Sequence, residues 1–162
     1  MQIELMQIEF TDISYYKEMM NSLYRTIGGS NKLLSYSEIS LNNSDYNFSV
    51  KTSTPGDFKK KIIGFAFIKQ IDWVSRHAEL QILPQDYKNK DCCLRIVTKL
   101  MEFSFQELNL NKVWIESIGF DTLNEILPRL GFVLEGIRRK SKYKKGRWVD
   151  SHIYSLLSQE FK

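Results

Sequence analysis

Few side chains of this chain are suited to covalent chemistry, and their spacing narrows what they do. Cys92 and Cys93 are adjacent, a pair that seldom bridges and that lacks the separation of zinc ligands, so free thiols and no metal site are expected. A thiol at a helix start acquires nucleophilic character as its pKa falls. No His or Asn pattern accompanies this pair, and small buried filler is the preferred reading. His77 and His152 are the only histidines; a strand histidine is more often structural than a base. There is no Ser-His-Asp set and no Gly-rich phosphate loop, which leaves hydrolase and kinase chemistry with little support.

The densest charge is the run Arg138 to Arg147, RRKSKYKKGR, with seven basic residues and no acid. Removing those seven from the net charge of +4 leaves −3 on the rest of the chain. Such a run suits phosphates or an acidic partner, or is a solvated hairpin. Without a helix-turn-helix pattern or a basic and aromatic platform elsewhere, nucleic acid is not an expected partner. Trp73, Trp114 and Trp148 read as core or interface residues rather than stacking platforms.

These residues must be positioned by one domain spanning residues 1–162, because 162 residues is below the size at which chains divide. With 43% hydrophobic and 13% aromatic residues, a packed core is expected. The 8 Gly and 3 Pro are dispersed, and no repeat or low-complexity tract is present. No apolar run approaches the roughly 20 residues that span a bilayer. The start, MQIELMQIEF, carries two Glu and no basic region, so a cytoplasmic protein without a membrane partner is expected.

Periodicity predicts a strand in residues 1–10, then a helix from Ile13 to Ile27 capped by Thr11 or Asp12 and stopped by Gly28-Gly29. The polar stretch Ser30 to Asn43 leads to a strand near Tyr46 to Lys51, and Pro55-Gly56 turns into a strand from Lys61 to Ile71. A turn at Asp72 to Arg76 precedes a strand from His77 to Leu83, ended by Pro84. Asp91 to Leu108 is a helix whose apolar face is read as Leu94, Val97, Met101, Phe105 and Leu108. A strand from Lys112 to Ile118 follows, then a helix from Asp121 to Leu130 shortened by Pro128 and closed by Gly131. Two strands, Phe132 to Lys142 and Trp148 to Leu157, complete the order β, α, β, β, β, α, β, α, β, β.

The residues Ile63-Gly64, Ile71-Asp72, Arg76 with Ala78-Glu79-Leu80, Arg129-Leu130-Gly131-Phe132, Glu135-Gly136 and Lys145-Gly146-Arg147 with Asp150 follow in a characteristic order. That order resembles the GCN5-related N-acetyltransferases (GNAT), and within them the branch that acetylates ribosomal-protein N-termini and related amines. The resemblance implies an α/β fold: a mostly antiparallel, seven-stranded mixed sheet with a central parallel splay, flanked by helices. It further implies acetyl-CoA as acyl donor, bound in a V between the strands His77 to Leu83 and Lys112 to Ile118. The helix after the first of these strands would meet the pyrophosphate with unpaired N–H groups and its positive dipole end.

The matching loop is Lys88-Asn89-Lys90-Asp91-Cys92-Cys93, with Asp91 and Cys93 where the family prefers small residues. Asp91 near a pyrophosphate would cost of order 1 to 4 kcal/mol at about 4 Å, offset by Lys88 and Lys90, unless it serves instead as the helix N-cap. Binding through a distorted loop, a different acyl donor, and a scaffold that no longer binds CoA are all compatible with this loop. By the same resemblance Glu79 is the carboxylate that removes the amine proton; the alternative is a Glu paired with Arg76 or Lys112. Backbone N–H groups around Ile82 and Leu83 would polarise the thioester carbonyl. The usual tyrosine acid is replaced by Leu127, and the usual Asn at the helix start by Phe120-Asp121; Ser117 or Tyr143 are the substitutes for the acid. The implied activity is N-acyl transfer to a small-molecule amine or a peptide N-terminus by direct attack, in a monomer or homodimer. Its rival is a non-catalytic binding or assembly module on the same scaffold. In the transferase, the basic run would favour an acceptor bearing phosphate or carboxylate, or hold the 3′-phosphate of CoA.

Overall fold

The computed structural model describes residues 2–7, 18, 44–53, 60–118, 122–144 and 146–162. Apart from Glu18, which is helical, the expected helix at 13–27 lies outside the described residues, as do the 30–43 segment, the Pro55-Gly56 turn and the Phe120-Asp121 pair. The remaining elements follow the expected order. They are β1 (Gln2–Gln7), β2 (Ser44–Ser53), β3 (Lys61–Asp72), β4 (His77–Pro84), α1 (Lys90–Glu102), β5 (Lys112–Ile118), α2 (Thr122–Ile126), β6 (Val133–Lys144) and β7 (Arg147–Leu157). One seven-stranded sheet runs β1-β2-β3-β4-β5-β7-β6, antiparallel throughout except between β4 and β5. Among the described residues no helix is long and apolar enough to cross a membrane.

The two faces of the sheet are chemically different. Alternation along β4 buries Ala78, Leu80 and Ile82 beside α1 and leaves His77, Glu79, Gln81 and Leu83 on the other face. In β5 the same alternation buries Val113, Ile115 and Ser117 and turns Trp114 and Glu116 to the Glu79 side. Central β3 is buried without a break from Gly64 to Ile68; Ala66 and Ile68 join the core under α1, and Phe65 and Phe67 face away from it.

The core face of α1 differs from the expected one. Its buried line is Cys92, Cys93, Ile96, Val97, Leu100 and Met101, while Leu94 is only partly covered. Val97 and Met101 lie on this line as expected, and the two cysteines act as small hydrophobes that extend the stripe toward the N-terminus. Phe105 falls in a wider turn at Phe103–Glu107, closed by Leu108, whose N–H donates to the Phe103 carbonyl at 3.1 Å, one residue beyond α-helical spacing. Full burial of Ile96, Val97 and Leu100 contributes about 1.5–3 kcal/mol each.

The strand splay has a direct cause. β4 and β5 pair only at His77↔Lys112, Ala78↔Val113 and Glu79↔Trp114, with the Arg76 carbonyl accepting the Asn111 and Lys112 amides at 2.7 and 3.1 Å. Beyond that point β4 follows β3, which it pairs as far as Gly64↔Pro84, and the Gln85 amide donates to Ile63 at 2.8 Å. A Cβ on Gly64 would lie 2.8 Å from the Leu83 carbonyl oxygen and 2.9 Å from the Pro84 Cα, so only glycine permits this approach. β5 follows β7 along its whole length, from Lys112↔Leu157 to Ile118↔Ser151. Each strand is held by its outer neighbour, and a gap opens between them.

Candidate active site

Peptide groups alternate along a strand, and this identifies what lines the gap. The Arg76 carbonyl points to β5, and the Ile82 carbonyl accepts the Tyr87 hydroxyl at 3.0 Å. The even-numbered residues of β4 therefore turn their peptides to the gap, Ile82 among them. Leu83 turns its own toward β3, where its carbonyl oxygen lies against Gly64. On the facing edge the Ile118 carbonyl accepts from Asn124 Nδ2 at 3.0 Å. Thr122 Oγ1 donates to the Tyr87 carbonyl at 2.6 Å, and Lys90 pairs with Glu125, so the loop before α1 and the start of α2 are tied together at the mouth of the gap.

At that mouth the side chain that caps α1 is Asn89, not Asp91: its Oδ1 accepts the Cys92 amide at 3.0 Å, worth about 1 kcal/mol. This leaves the first two helical amides, those of Lys90 and Asp91, outside the cap. The Asp91 carboxylate lies along the helix, accepting from Arg95 Nε at 2.8 Å. Lys88, Asn89, Lys90 and Asp91 are exposed. Cys93 points inward and is fully buried, with Sγ 3.9 Å from the Tyr87 carbonyl oxygen, so it does not obstruct the outer surface of the loop. Burial, with Asp91 and Asp86 nearby, pushes the Cys92 thiol up rather than down, the reverse of an activated nucleophile.

Glu79 is half-buried on the face away from α1. It pairs with neither Arg76 nor Lys112; Lys112 instead donates to Glu135 at 2.6 Å. Among the described residues no hydrogen bond or ion pair reaches its carboxylate. Burial raises its pKa above the ordinary carboxylate range, opposed by Lys69, which stands across from it on β3, and reinforced by Glu116. Glu116, one strand over, accepts from Ser151 Oγ at 2.6 Å and pairs with Lys142 at 3.1 Å and Arg138 at 3.6 Å. These contacts hold its pKa below the ordinary range although burial pushes the other way.

Ser117 lies on the opposite face of the sheet from Glu79, 1% exposed, with its Oγ unbonded among the described residues. Leu127, where a tyrosine acid would stand, is fully buried. Tyr143 is exposed near the tip of the β6–β7 hairpin against Trp148. Trp73 and Trp148 are exposed rather than core residues, and Trp114 is half-covered beside Glu79. His77 lies 3.6 Å from Asp72, and His152 Nδ1 is 3.2 Å from Asn124 Oδ1.

A partly parallel sheet with a splay and a helix starting at its mouth has a counterpart among known families: residues 8–153 match the family model described as an acetyltransferase (GNAT) domain. The chain belongs to the GNAT acetyltransferase family. This GNAT protein is 30% identical over 102 residues to YdaF of Bacillus subtilis, provisionally named a ribosomal N-acetyltransferase; the match covers 62% of this chain and 56% of that protein. It is 26% identical over 154 residues to p20 of Bacillus licheniformis, an uncharacterized N-acetyltransferase, covering 94% and 77%. The chain thus spans little more than half the length of the first relative and about three quarters of the second. The fold is also that of the Vibrio cholerae spermidine N-acetyltransferase crystallised with CoA and spermine, with a TM-score of 0.79 at 21% identity over 98% of this chain and 97% of that one.

Glu116, Tyr87, Thr122 and Asn124 were absent from the sequence-based site. Alternation in KVWIESI is enough to place Glu116 with Glu79 once β4 and β5 are known to be neighbours. The bonds of Tyr87, Thr122 and Asn124 join the loop before α1, the strands β4 and β5 and the helix α2, and have no local signature.

Proposed function

We propose that this GNAT protein transfers an acetyl group from acetyl-CoA to a primary amine by direct attack, without a covalent enzyme intermediate. The observation that carries the reading is the half-buried Glu79 carboxylate, unbonded among the described residues and with a raised pKa, next to the strand gap. A general base works best with a pKa displaced toward the operating pH. Glu79 takes the proton of the incoming ammonium, directly or through one water. Acetyl-CoA supplies the activated acyl group as a thioester. The Ile82 N–H, on the gap edge of β4, polarises the carbonyl, and Leu83 supports that edge through its bonds to β3. The second proton lost by the attacking nitrogen goes to the leaving sulfur through Ser117, whose buried hydroxyl has no hydrogen-bond partner among the described residues: the hydroxyl gives its proton to the sulfur and regains one from the nitrogen.

The residues at the α1 start fit a pyrophosphate. The amides of Lys90 and Asp91 lie outside the Asn89 cap, Lys88 and Lys90 are exposed with Lys90 paired to Glu125, and the Cys92 and Cys93 side chains are turned into the core. Asp91 is answered by Arg95, which weakens one of the two grounds for a non-catalytic scaffold, the other being Leu127 in place of the tyrosine acid. The acceptor is a small amine or a peptide N-terminus.

Calorimetric titration with acetyl-CoA, followed by detection of CoA release with an amine panel, tests this reading. Micromolar binding and amine-dependent release are expected; a folded protein that does not bind acetyl-CoA overturns it.

A further inference from the structure

The relatives leave the acceptor open, and the face around Glu79 carries a feature that narrows it. Between Arg138↔Ser151 and Lys142↔Val149 the β6–β7 register slips, so that three residues of β6 stand against one of β7. In a regular strand residues four apart are about 13 Å apart and would not share a target. Here Arg138 and Lys142 both reach Glu116. The bulge has its own bracing: Lys140 at its centre adopts φ 49°, uncommon for a residue with a side chain, and its N–H donates to Asp150 Oδ1 at 2.8 Å. Ser141 and Ser151 share a 2.7 Å hydrogen bond behind it. Strained bulges that re-aim side chains gather at functional sites.

The result is an excess of cations beside the base. Lys69, Arg138 and Lys142 face two carboxylates, Glu79 and Glu116. The side chains of Arg138 and Lys142 remain 58% and 46% exposed while touching Glu116. An ammonium has three donors and a guanidinium five, so both cations keep donors directed to solvent. Arg138 also borders a shallow recess of about 240 Å³ shared with His77, Lys112, Trp114, Glu135 and Ile153, beside the Glu79↔Trp114 pair.

We propose that the acceptor amine carries an anionic group, carboxylate or phosphate, held by Arg138 and Lys142 while its amine meets Glu79, and that polyamines are poor acceptors. This rests on the acetyltransferase reading above. A polyamine extended from Glu79 would meet like charges in every direction that Lys69, Arg138 and Lys142 occupy, and like-charge placement is an effective way to reject a partner. An anion at the same place gains charge-assisted hydrogen bonds.

The test is acetyl transfer measured with amine pairs that differ in the anion: glucosamine with glucosamine 6-phosphate for the phosphate arm, tyramine with tyrosine for the carboxylate arm, and spermidine alone. In at least one arm the anionic member should have kcat/KM about tenfold to hundredfold above its partner and above spermidine. Its KM should rise with ionic strength. In Arg138→Gln/Lys142→Gln that preference should fall toward parity, with circular dichroism confirming the fold. Equal or slower reaction of the anionic member in both arms, no reaction included, overturns the proposal in a protein that binds acetyl-CoA. Failure to bind acetyl-CoA defeats the acetyltransferase reading itself, so the two failures are distinguishable.

Discussion

Glu79 and Glu116 are the same residue type on adjacent strands of one face, and their surroundings drive them in opposite directions. Glu116 is enclosed by a hydroxyl and two cations and is held ionised. Glu79 is also desolvated, has no such bond among the described residues, and its pKa rises. Pairs of titratable groups whose environments separate their pKa values mark divided roles. Glu116 anchors the bulged hairpin and fixes the local charge; Glu79 is left able to exchange a proton.

The largest test of this division is Glu79→Gln. It should lower kcat/KM by about 10²–10⁴, the usual range for a general base, with acetyl-CoA affinity nearly unchanged by calorimetry. Unaltered turnover would remove Glu79 from the chemistry. In the unmodified protein the base is lost as pH falls through a pKa raised above its ordinary 4.5, so kcat/KM should decline on an acid limb above that value.

Ser117→Ala comes next. If the hydroxyl protonates the leaving sulfur, kcat should fall about tenfold to hundredfold, at or below the lower end of general-acid effects, with acetyl-CoA affinity preserved and little loss of stability, since no hydrogen bond among the described residues is broken. An unchanged kcat would leave Ser117 as core filler.

Glu116→Gln should have a smaller effect on rate and a visible one on stability. It removes a negative neighbour of Glu79 and releases Arg138 and Lys142, all of which lower the Glu79 pKa, so the acid limb should move to lower pH. The Glu116 network has a depressed folded-state pKa: its stabilisation is present above 4.5 and is lost as pH falls through the lower folded value. Thermal melts between about pH 3 and 6 should therefore show an acid destabilisation that the variant lacks, from a charge-assisted contact worth about 1.5–3 kcal/mol. A limb that moves to higher pH would contradict the arrangement.

The divided roles were only partly legible in the sequence. Strands such as KVWIESI were readable to the residue because alternation and length agree with burial on one face. Glu79 was singled out through a resemblance, not through its spacing, and its role as a base is the proposal that Glu79→Gln tests. The convergence of Arg138 and Lys142 on Glu116 was not legible, because a bulge of three residues against one breaks the period on which face assignment depends. The face of α1 was legible at Val97 and Met101 but not at its start, because two cysteines carry that part of the core stripe. Asn89 stands three residues before Cys92, a proper cap spacing, but the more conspicuous charge of Asp91 drew that assignment away.

Asp91→Asn addresses the opposite end of the site and should have the smallest effect. The carboxylate is exposed and already paired one turn on with Arg95, so solvent and the guanidinium both screen its repulsion of a pyrophosphate. The substitution keeps helix length and the Asn89 cap while removing the charge. Acetyl-CoA should bind tighter by roughly twofold to fivefold, the low end expected at high effective dielectric, with kcat unchanged. A gain of a hundredfold would mean that Asp91 leaves Arg95 and faces the phosphates; weaker binding would mean that its carboxylate supports the loop, and the helix start would then depend on more than its cap.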